Sequence, residues 1–240
     1  ALDHALCEAL ANDLGEVVRL GNPVTKVTHG DTAVVTLASG ETVEARTVVS
    51  TLPPRLAVAL EYDPPLPQWR QDVAEKVTPG NVIKAYLVYE TPFWRERGLS
   101  GQSSSDEGAV RVTFDTTPVD STRGLLMGFF EGNEADSLAR RPLEVRRRAF
   151  VESAVRAFGV EASEPVEYLE RDWSAEQYTR GCHGAHFAPG IWTSNGPVLA
   201  APDGCLYWAG AEYSTKFNGY MEGAVRSGEE VAATIAVALI

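Results

Sequence analysis

The 240-residue sequence has only three cysteines, and Cys7, Cys182 and Cys205 are far apart. No C-x-x-C pair occurs, so a disulfide framework is not indicated. So few cysteines are typical of a reducing compartment, and we predict a cytoplasmic location. His183 and His186 form an H-x-x-H pair, but no third ligand lies near them in the sequence. We therefore predict no metal site.

The sequence is also poor in positive charge. It has 33 acidic residues and only 21 lysines and arginines, which gives a net charge of −12. This balance argues against nucleic acid and against anionic membrane surfaces as partners. No long hydrophobic run occurs: the apolar C-terminal stretch 231–240 is about half the length that a membrane span needs. No basic leader opens the chain. We therefore predict a protein that binds neither nucleic acid nor membrane.

Three phosphate-binding or nucleophile motifs are missing, namely G-x-G-x-x-G, the Walker loop and G-x-S-x-G. The chain thus carries no recognisable loop for a dinucleotide pyrophosphate. It begins at Ala1 instead of methionine and enters a helical pattern at once. From these two features we expect a fragment or a processed chain.

Apolar periodicity predicts a mixed α/β (α+β) chain. A helix that ends at Gly15 is expected at the start, and a hairpin follows, in which 24–28 pairs with 33–37. The other predicted strands are 17–20, 41–51, 81–89, 109–114, 125–130 and 165–169, and the other predicted helices are 68–76, 135–140 and 143–158. We found no internal repeat and no low-complexity run.

The last thirty-five residues carry the most specific pattern. A short apolar run, 205–208, stops at a glycine, and a polar loop leads into a helix that begins near Met221. Small residues at Gly223, Ala224 and Ser227 leave the first turns nearly bare. A bare helix start with free N–H groups allows an acceptor or an anion to come close. A terminal helix packed tightly on a sheet explains the same spacing, so both interpretations remain open at this point.

The strings AGAE at 209–212, GYMEGA at 219–224 and SG at 227–228 resemble the C-terminal flavin-contacting segment of the flavin-containing amine oxidase family. That family includes monoamine, polyamine and L-amino-acid oxidases. The resemblance implies a split FAD-binding domain, 1–72 and 176–240. It also implies an inserted substrate-binding domain, 73–175, with a mixed or antiparallel sheet and flanking helices. The family's N-terminal strand, glycine turn and helix, which hold the FAD pyrophosphate, are not in this sequence.

The resemblance also implies cofactor contacts. Backbone groups at Val27 would approach the adenine, and Glu212 after Gly210 would bind cofactor hydroxyls. The N–H of Met221 would face the flavin pyrimidine carbonyl, where the positive end of the helix stabilises negative charge. Trp192 would line the flavin or the substrate channel, although a single tryptophan is more often part of a core.

Cys182 stands where some relatives attach FAD through a thioether. The alternative is a small buried residue that leaves FAD non-covalently bound. The sequence does not decide between a covalent and a non-covalent cofactor.

Three residues are candidates for the catalytic site. Lys84 lies in mid-strand and matches the family's lysine that holds a water against flavin N5; the alternative is an edge strand whose lysine reaches solvent. His183 and Tyr220 would form the two walls that orient the amine. The family often has two phenols there, so His183 is a departure. An imidazole can carry charge near neutral pH, which leaves the substrate class open.

The resemblance thus implies the C-terminal part of a flavin-dependent amine oxidase. The complete enzyme would oxidise a primary or secondary amine to an imine while O2 is reduced to H2O2. Its partners would be the small amine and the missing N-terminal FAD-binding half, in the same precursor or a separate chain; a homodimer is also compatible. The isolated chain is then expected to be inactive. The alternative is a non-catalytic fragment or binding module that lacks FAD.

Overall fold

The structure is a computed structural model that describes residues 2–239. Within this range the helices are, in chain order, α1 Leu2–Leu14, α2 Pro54–Ala57, α3 Gln68–Glu75, α4 Phe93–Glu96, α5 Gly132–Ala139, α6 Leu143–Phe158, α7 Ile191–Leu199 and α8 Met221–Ala238. The strands are β1 Val24–His29, β2 Ala33–Leu37, β3 Thr42–Ala45, β4 Val48–Ser50, β5 Glu61–Asp63, β6 Val77–Thr78, β7 Val82–Tyr89, β8 Ser103–Ser104, β9 Val112–Asp115, β10 Gly124–Glu131, β11 Glu167–Asp172, β12 His186–Phe187 and β13 Leu206–Trp208.

The strands form four sheets among the described residues. Two are large, with the orders β3-β2-β1-β5 and β11-β7-β10-β9-β8, and two are small pairs, β12-β6 and β13-β4. The five-stranded sheet is antiparallel throughout, whereas β13 runs parallel to β4 and β1 runs parallel to β5. The mixed α/β fold predicted from the sequence is confirmed.

The five-stranded sheet buries one face under α6. In β7 the core-facing positions are Ile83, Ala85 and Leu87, which alternate with Lys84 and Tyr86 on the opposite face. This alternation follows from the period of two along a strand. The aromatic residues of α6 and the core-facing positions of β7 and β10 pack in one apolar cluster. The opposite face of the same sheet therefore remains available for polar or functional side chains.

A second apolar cluster shares no residue with the first. It is assembled from two distant parts of the chain, 27–77 and 185–213, with Leu206 and Trp208 of β13 at its centre. Val73 and Val77 pack in this second cluster, although the sequence analysis assigned them to the inserted domain. The division into 1–72 with 176–240 and 73–175 stays a prediction.

The predicted strand over 17–20 is wrong. Residues Gly15–Val17 form a 3-10 turn, and Leu20 is 84% exposed. The short run has no neighbouring strand, so its apolar residues gain nothing from an extended conformation. The predicted strand 41–51 is two strands, since β3 pairs with β2 whereas β4 pairs with β13. Helix α7 was not predicted.

The hydrogen-bond network around Asp115 ties β9 to α4. The carboxylate of Asp115 accepts hydrogen bonds from Trp94 Nε1 at 2.8 Å, from Arg95 Nε at 2.6 Å and from the Thr117 backbone N–H at 2.9 Å. Its side chain is 9% exposed. Burial alone would raise the pKa of Asp115, but these hydrogen bonds outweigh burial and lower the pKa from 3.8 to about 2. The ionised form therefore stabilises the folded chain.

We expect Asp115→Asn to lower the free energy of unfolding at pH 7 by about 2 kcal/mol, since each pKa unit corresponds to about 1.4 kcal/mol. The folded-state pKa lies below the unfolded one, so this contribution is complete above pH 4 and is lost as the pH falls toward 2. Urea unfolding at pH 7 and pH 3 measures it, with the exposed Asp120→Asn as control. An equal deficit at both pH values would contradict the account.

Candidate functional site

Three loops meet at very close range beside α8. A Cβ atom added to Gly184 would lie 2.8 Å from the Cα of Gly219, so the 180–185 loop touches the 209–220 loop through bare backbone. The 79–81 loop closes in from the other side, where the Cys182 N–H donates to the Gly80 carbonyl at 2.9 Å. Any side chain at Gly184 would force these loops apart. The contact brings His183 and Tyr220, which flank the two glycines, to the same place.

The backbone of these loops is strained. Within residues 2–239 the non-glycine residues with positive φ are Arg180, His183 and Phe217, at 49°, 58° and 53°. All three belong to the two loops that meet at Gly184. Such conformations cost on the order of 1–3 kcal/mol each and cluster at functional sites. The strain therefore points to this junction as the functional part of the molecule.

The start of α8 is locked to the turn that follows β13. Ser227 is buried, and its hydroxyl oxygen accepts the Gly210 N–H at 2.8 Å. The same hydroxyl lies 3.0 Å from the Gly210 carbonyl and 2.8 Å from the Ala224 carbonyl, to either of which it can donate. Asn218 donates to the carbonyl of Glu212 at 3.0 Å. The loop is thereby joined to the helix at Gly210 and braced internally by Asn218.

The first turn of α8 presents free donors. Tyr220 precedes the helix in an extended conformation and provides no side-chain cap. The first intrahelical bond comes from the Ala224 N–H to the Tyr220 carbonyl, at 3.1 Å. The N–H groups of the preceding helical residues therefore stand at the positive end of the helix without an intrahelical acceptor. This arrangement suits an acceptor atom that carries negative charge.

Glu212 is a mostly buried residue whose carboxylate has no protein partner among the described residues. It is 8% exposed, and among the described residues its carboxylate makes no hydrogen bond and no ion pair. It faces a cavity of about 530 Å³ that borders the second apolar cluster. The cavity is also lined by His183 and by the following residues: Pro53, Arg55, Leu56, Val77, Pro79, Gly80, Asn81, Ser174, Tyr178, Thr179, Arg180, Gly181 and Ala185. The carboxylate opens into this cavity, so a ligand there that donates hydrogen bonds would supply the partner that it lacks.

Lys84 lies on a central strand. Strand β7 is flanked by β11 and β10, so the edge-strand interpretation is wrong. The ammonium nitrogen lies 5.7 Å from the ring centroid of Tyr86 and 5.9 Å from that of Phe129. The ring of Phe129 in turn packs edge-on against His183, with centroids 5.1 Å apart. The structure thus brings Lys84 and His183 together around one aromatic ring.

Tyr220 and Met221 are exposed beside this group. The side chain of Tyr220 is 70% exposed, and Met221, Phe217 and Val225 are also open to solvent. Isolated exposed apolar residues are ordinary, but a contiguous group at a strained loop marks a binding surface. The predicted wall residue Tyr220 therefore lies on an open apolar surface next to His183.

The remaining predicted cofactor residues lie elsewhere. Val27 is buried in β1 between β2 and β5. Trp192 belongs to α7, where its ring packs against Phe187 at 5.0 Å. Cys182 is half-buried and is a free thiol. Their contacts with a cofactor stay predictions.

Two contributors to the site were missed in the sequence. Phe129 joins Lys84 to His183 only because the β10–β7 register places Phe129 opposite Lys84. Arg180 lines the cavity in a left-handed conformation that its sequence does not reveal. Both depend on pairing between segments that are distant in sequence, and a single sequence carries no signal for that.

The described residues offer neither a metal-ion cluster nor a membrane-spanning helix. Among residues 2–239, no cluster of three or more His, Cys, Asp or Glu side chains could hold a metal ion. In the same range, none of the helices combines the length and the apolar character needed to cross a membrane.

We expect Gly223→Ala to destabilise the site, because the new Cβ would lie 2.3 Å from the Phe217 carbonyl oxygen. Overpacking of this kind costs roughly 1–3 kcal/mol in free energy of unfolding. The matched control is Gly228→Ala in the same helix, where no atom lies within 4 Å of the new Cβ. That change should be neutral or stabilise the chain by up to about 1 kcal/mol. Urea unfolding of both variants measures the difference, and equal effects would refute the close contact.

Comparison with known proteins gives consistent matches. A family model described as flavin containing amine oxidoreductase matches residues 1–236. A protein of Mycobacterium tuberculosis named as a flavin-containing monoamine oxidase, AofH, is 40% identical over 235 residues, which cover 98% of this chain and 51% of that protein. The flavin-containing amine oxidase B of Canis lupus familiaris is 38% identical over 232 residues, with coverages of 95% and 45%.

A solved structure of wild-type putrescine oxidase bound to putrescine superposes with a TM-score of 0.91 at 35% identity. The match covers 95% of this chain and 51% of that one. The chain thus spans about half the length of the relatives it matches. Because the family model covers nearly the whole chain, the chain belongs to the flavin-containing amine oxidoreductase family.

Proposed function

We propose that this chain is the part of an FAD-dependent amine oxidase that surrounds the flavin ring, and that the complete enzyme oxidises a primary or secondary amine to an imine while O2 is reduced to H2O2. The observation that carries this proposal is the junction at Gly184 and Gly219. There the loop of His183, whose ring packs on Phe129 beside Lys84, meets the loop that leads into the free start of α8. A planar cofactor with a polar edge fits between such surfaces.

The residues present fit FAD. The carboxylate of Glu212 lines the cavity without a protein partner and can accept hydrogen bonds from cofactor hydroxyls. The backbone turn at Gly210 has φ of 135° and is fixed by Ser227, so main-chain groups can approach a ligand closely. The N–H groups at Met221 would stabilise negative charge on the cofactor's polar edge. Val27, Trp192 and Cys182 are further proposed contacts, and covalent attachment at Cys182 stays open.

FAD supplies the two-electron acceptor that O2 reoxidises, and the chain's own residues prepare the substrate. His183 and Tyr220 would hold the amine between an imidazole and a phenol. Lys84, on its central strand, would hold a water molecule through Nζ and assist proton transfer. The amine must reach this place uncharged, because a cation would meet the ammonium of Lys84 across the Phe129 ring.

The partner would be the other half of the FAD-binding domain. Support comes from the open apolar group of Phe217, Tyr220, Met221 and Val225 and from the chain's coverage of about half of its relatives. The proposed half would carry the pyrophosphate loop and cover this surface, in the same precursor or as a separate chain. Until it does, the chain by itself is expected to be inactive.

A second candidate function is a non-catalytic binding module. The open apolar surface and the 530 Å³ cavity support it as well, because both could serve a protein partner or a small ligand without redox chemistry. The module would bind no flavin in any combination with a partner half. The two candidates therefore differ in flavin binding and in peroxide production.

In the complete enzyme, we expect Lys84→Met to slow amine-dependent peroxide formation roughly 100-fold, since a positioned proton-transfer group contributes at least that much. Stopped-flow absorbance of the flavin and a peroxide assay over a panel of monoamines, diamines and amino acids measure the effect. The control is Lys76→Met, an exposed lysine outside the site. Unchanged flavin rates in Lys84→Met would remove the catalytic role. Absence of peroxide with every amine would instead reject the oxidase.

A further inference from the structure

Arg70 is a buried arginine that the proposed mechanism does not use. It lies in α3 and is 3% exposed. Nη1 donates to the Leu199 carbonyl at 2.8 Å, and Nη2 donates to the Ala201 carbonyl at 2.8 Å. Among the described residues no carboxylate lies within ion-pair distance of it. Burial lowers the pKa of Arg70, while Tyr213, Asp203 and Tyr62 oppose that shift.

The guanidinium of Arg70 lies between two tryptophans. Its central carbon is 4.6 Å from the ring centroid of Trp69 and 4.2 Å from that of Trp208. The ring of Trp208 is stacked in turn on Tyr213, with centroids 6.4 Å apart and planes at 28°. The hydroxyl of Tyr213 donates to the Leu52 carbonyl at 3.0 Å. Four flat groups therefore form one stack, from the half-exposed Trp69 to the buried Tyr213.

This stack ends at the site. Trp208 is the last residue of β13, and Tyr213 follows the turn at Ala209–Glu212, so the stack holds both ends of that turn. Ser227 holds the middle of the same turn at Gly210 from the opposite direction. The turn that carries Gly210 and Glu212 is thus clamped from two sides, and Arg70 supplies the clamp on the β13 side.

Burying Arg70 in this stack costs free energy that a purely stabilising role would not justify. Arg70 Nε and Trp208 Nε1 are both buried without a hydrogen-bond partner. A buried charge with an unsatisfied donor is usually less stable than an apolar side chain of similar volume. Only the planar fork of arginine can reach two carbonyls and lie flat on two indoles at once. These properties favour a role for Arg70 in positioning neighbouring groups over a role in stabilising the fold.

We propose that Arg70 is a positioning residue for the turn Ala209–Glu212, holding it through Trp208 so that Gly210 and Glu212 meet the cofactor in one fixed arrangement. The cofactor part of this inference rests on the proposed function. The positioning part concerns this chain alone and is tested without flavin.

The test is amide hydrogen exchange of residues 209–214 in the 240-residue chain. We expect Arg70→Met and Arg70→Lys both to exchange about tenfold faster there than the unsubstituted chain, a loss of about 1.4 kcal/mol in local protection. Arg70→Lys keeps the charge but loses the planar fork. Trp69→Ala, at the half-exposed end of the stack, should give a smaller increase in the same amides and keeps the test usable if a change at Arg70 prevents folding.

The matched control is Arg146→Met, which removes another poorly exposed arginine, paired with Glu170, from the other apolar cluster. It should leave exchange at 209–214 unchanged. Equal acceleration by Arg146→Met would mean general destabilisation and overturn the proposal. Wild-type protection in Arg70→Lys would overturn it too, since charge alone would then suffice. Unchanged protection in Trp69→Ala would show that the stack does not hold the turn.

The flavin dissociation constant tests the cofactor part of the inference. In the complete enzyme, Arg70→Lys should raise the flavin dissociation constant about tenfold, matching the lost protection. Faster exchange with unchanged flavin affinity would overturn the cofactor part of the inference. If the unsubstituted enzyme binds no flavin, the proposed function fails, while the exchange result still decides the positioning role.

Discussion

The structure depends on backbone-to-backbone contact between loops that are distant in sequence. At Gly184 the two loops are too close for a Cβ atom, which would lie 2.8 Å from the Cα of Gly219, and at Gly80 the third loop closes on the carbonyl of Cys182. Close backbone packing of this kind fixes position more tightly than side-chain packing does, because no rotamer can absorb a shift. The placement of the loops around the site follows from this junction. It brings His183 to Tyr220 and orients the start of α8.

The two apolar clusters support different parts of the site. The cluster under α6 makes the five-stranded sheet rigid and leaves Lys84 on its opposite face, beside Phe129. The cluster around Trp208 anchors β13 and the turn that carries Glu212. The cavity borders the second cluster through Val77 and Ala185, and its other walls are the loops that carry Arg180, His183 and Glu212.

Backbone hydrogen bonds hold the strained loop conformations at the site. Arg180, His183 and Phe217 adopt left-handed conformations, and hydrogen bonds on both sides hold the loops that contain them. Glu212, which is 8% exposed, has no protein partner for its carboxylate in the same region. Both costs are reasonable where a ligand is expected to supply the missing interactions. The stability of the region should therefore rise when its ligand binds.

Much of the fold could be predicted from the sequence because its strongest elements have clear periodicity. Strand β7 and helix α6 follow their apolar patterns closely, and α8 begins at the expected Met221, although its buried residues are Gly223 and Ser227. The failures have physical causes. The run at 17–20 has no strand neighbour, and α7 contains a glycine and a proline that argue against a helix. The candidate residues Gly210, Glu212 and Met221 came from a long motif, whereas Phe129 and Arg70 act through pairing and stacking that no local pattern records.

The central claim is that the flavin ring lies at the start of α8, beside Gly210 and Met221. The most direct measurement is an NMR experiment in which the nitrogen-15-labelled chain is combined with an unlabelled partner half and FAD is added. The account predicts that the largest amide shifts occur at Gly210, Met221 and the residues of the 180–185 loop. Flavin bound with its largest shifts elsewhere, for example on β8 and β9, would contradict it.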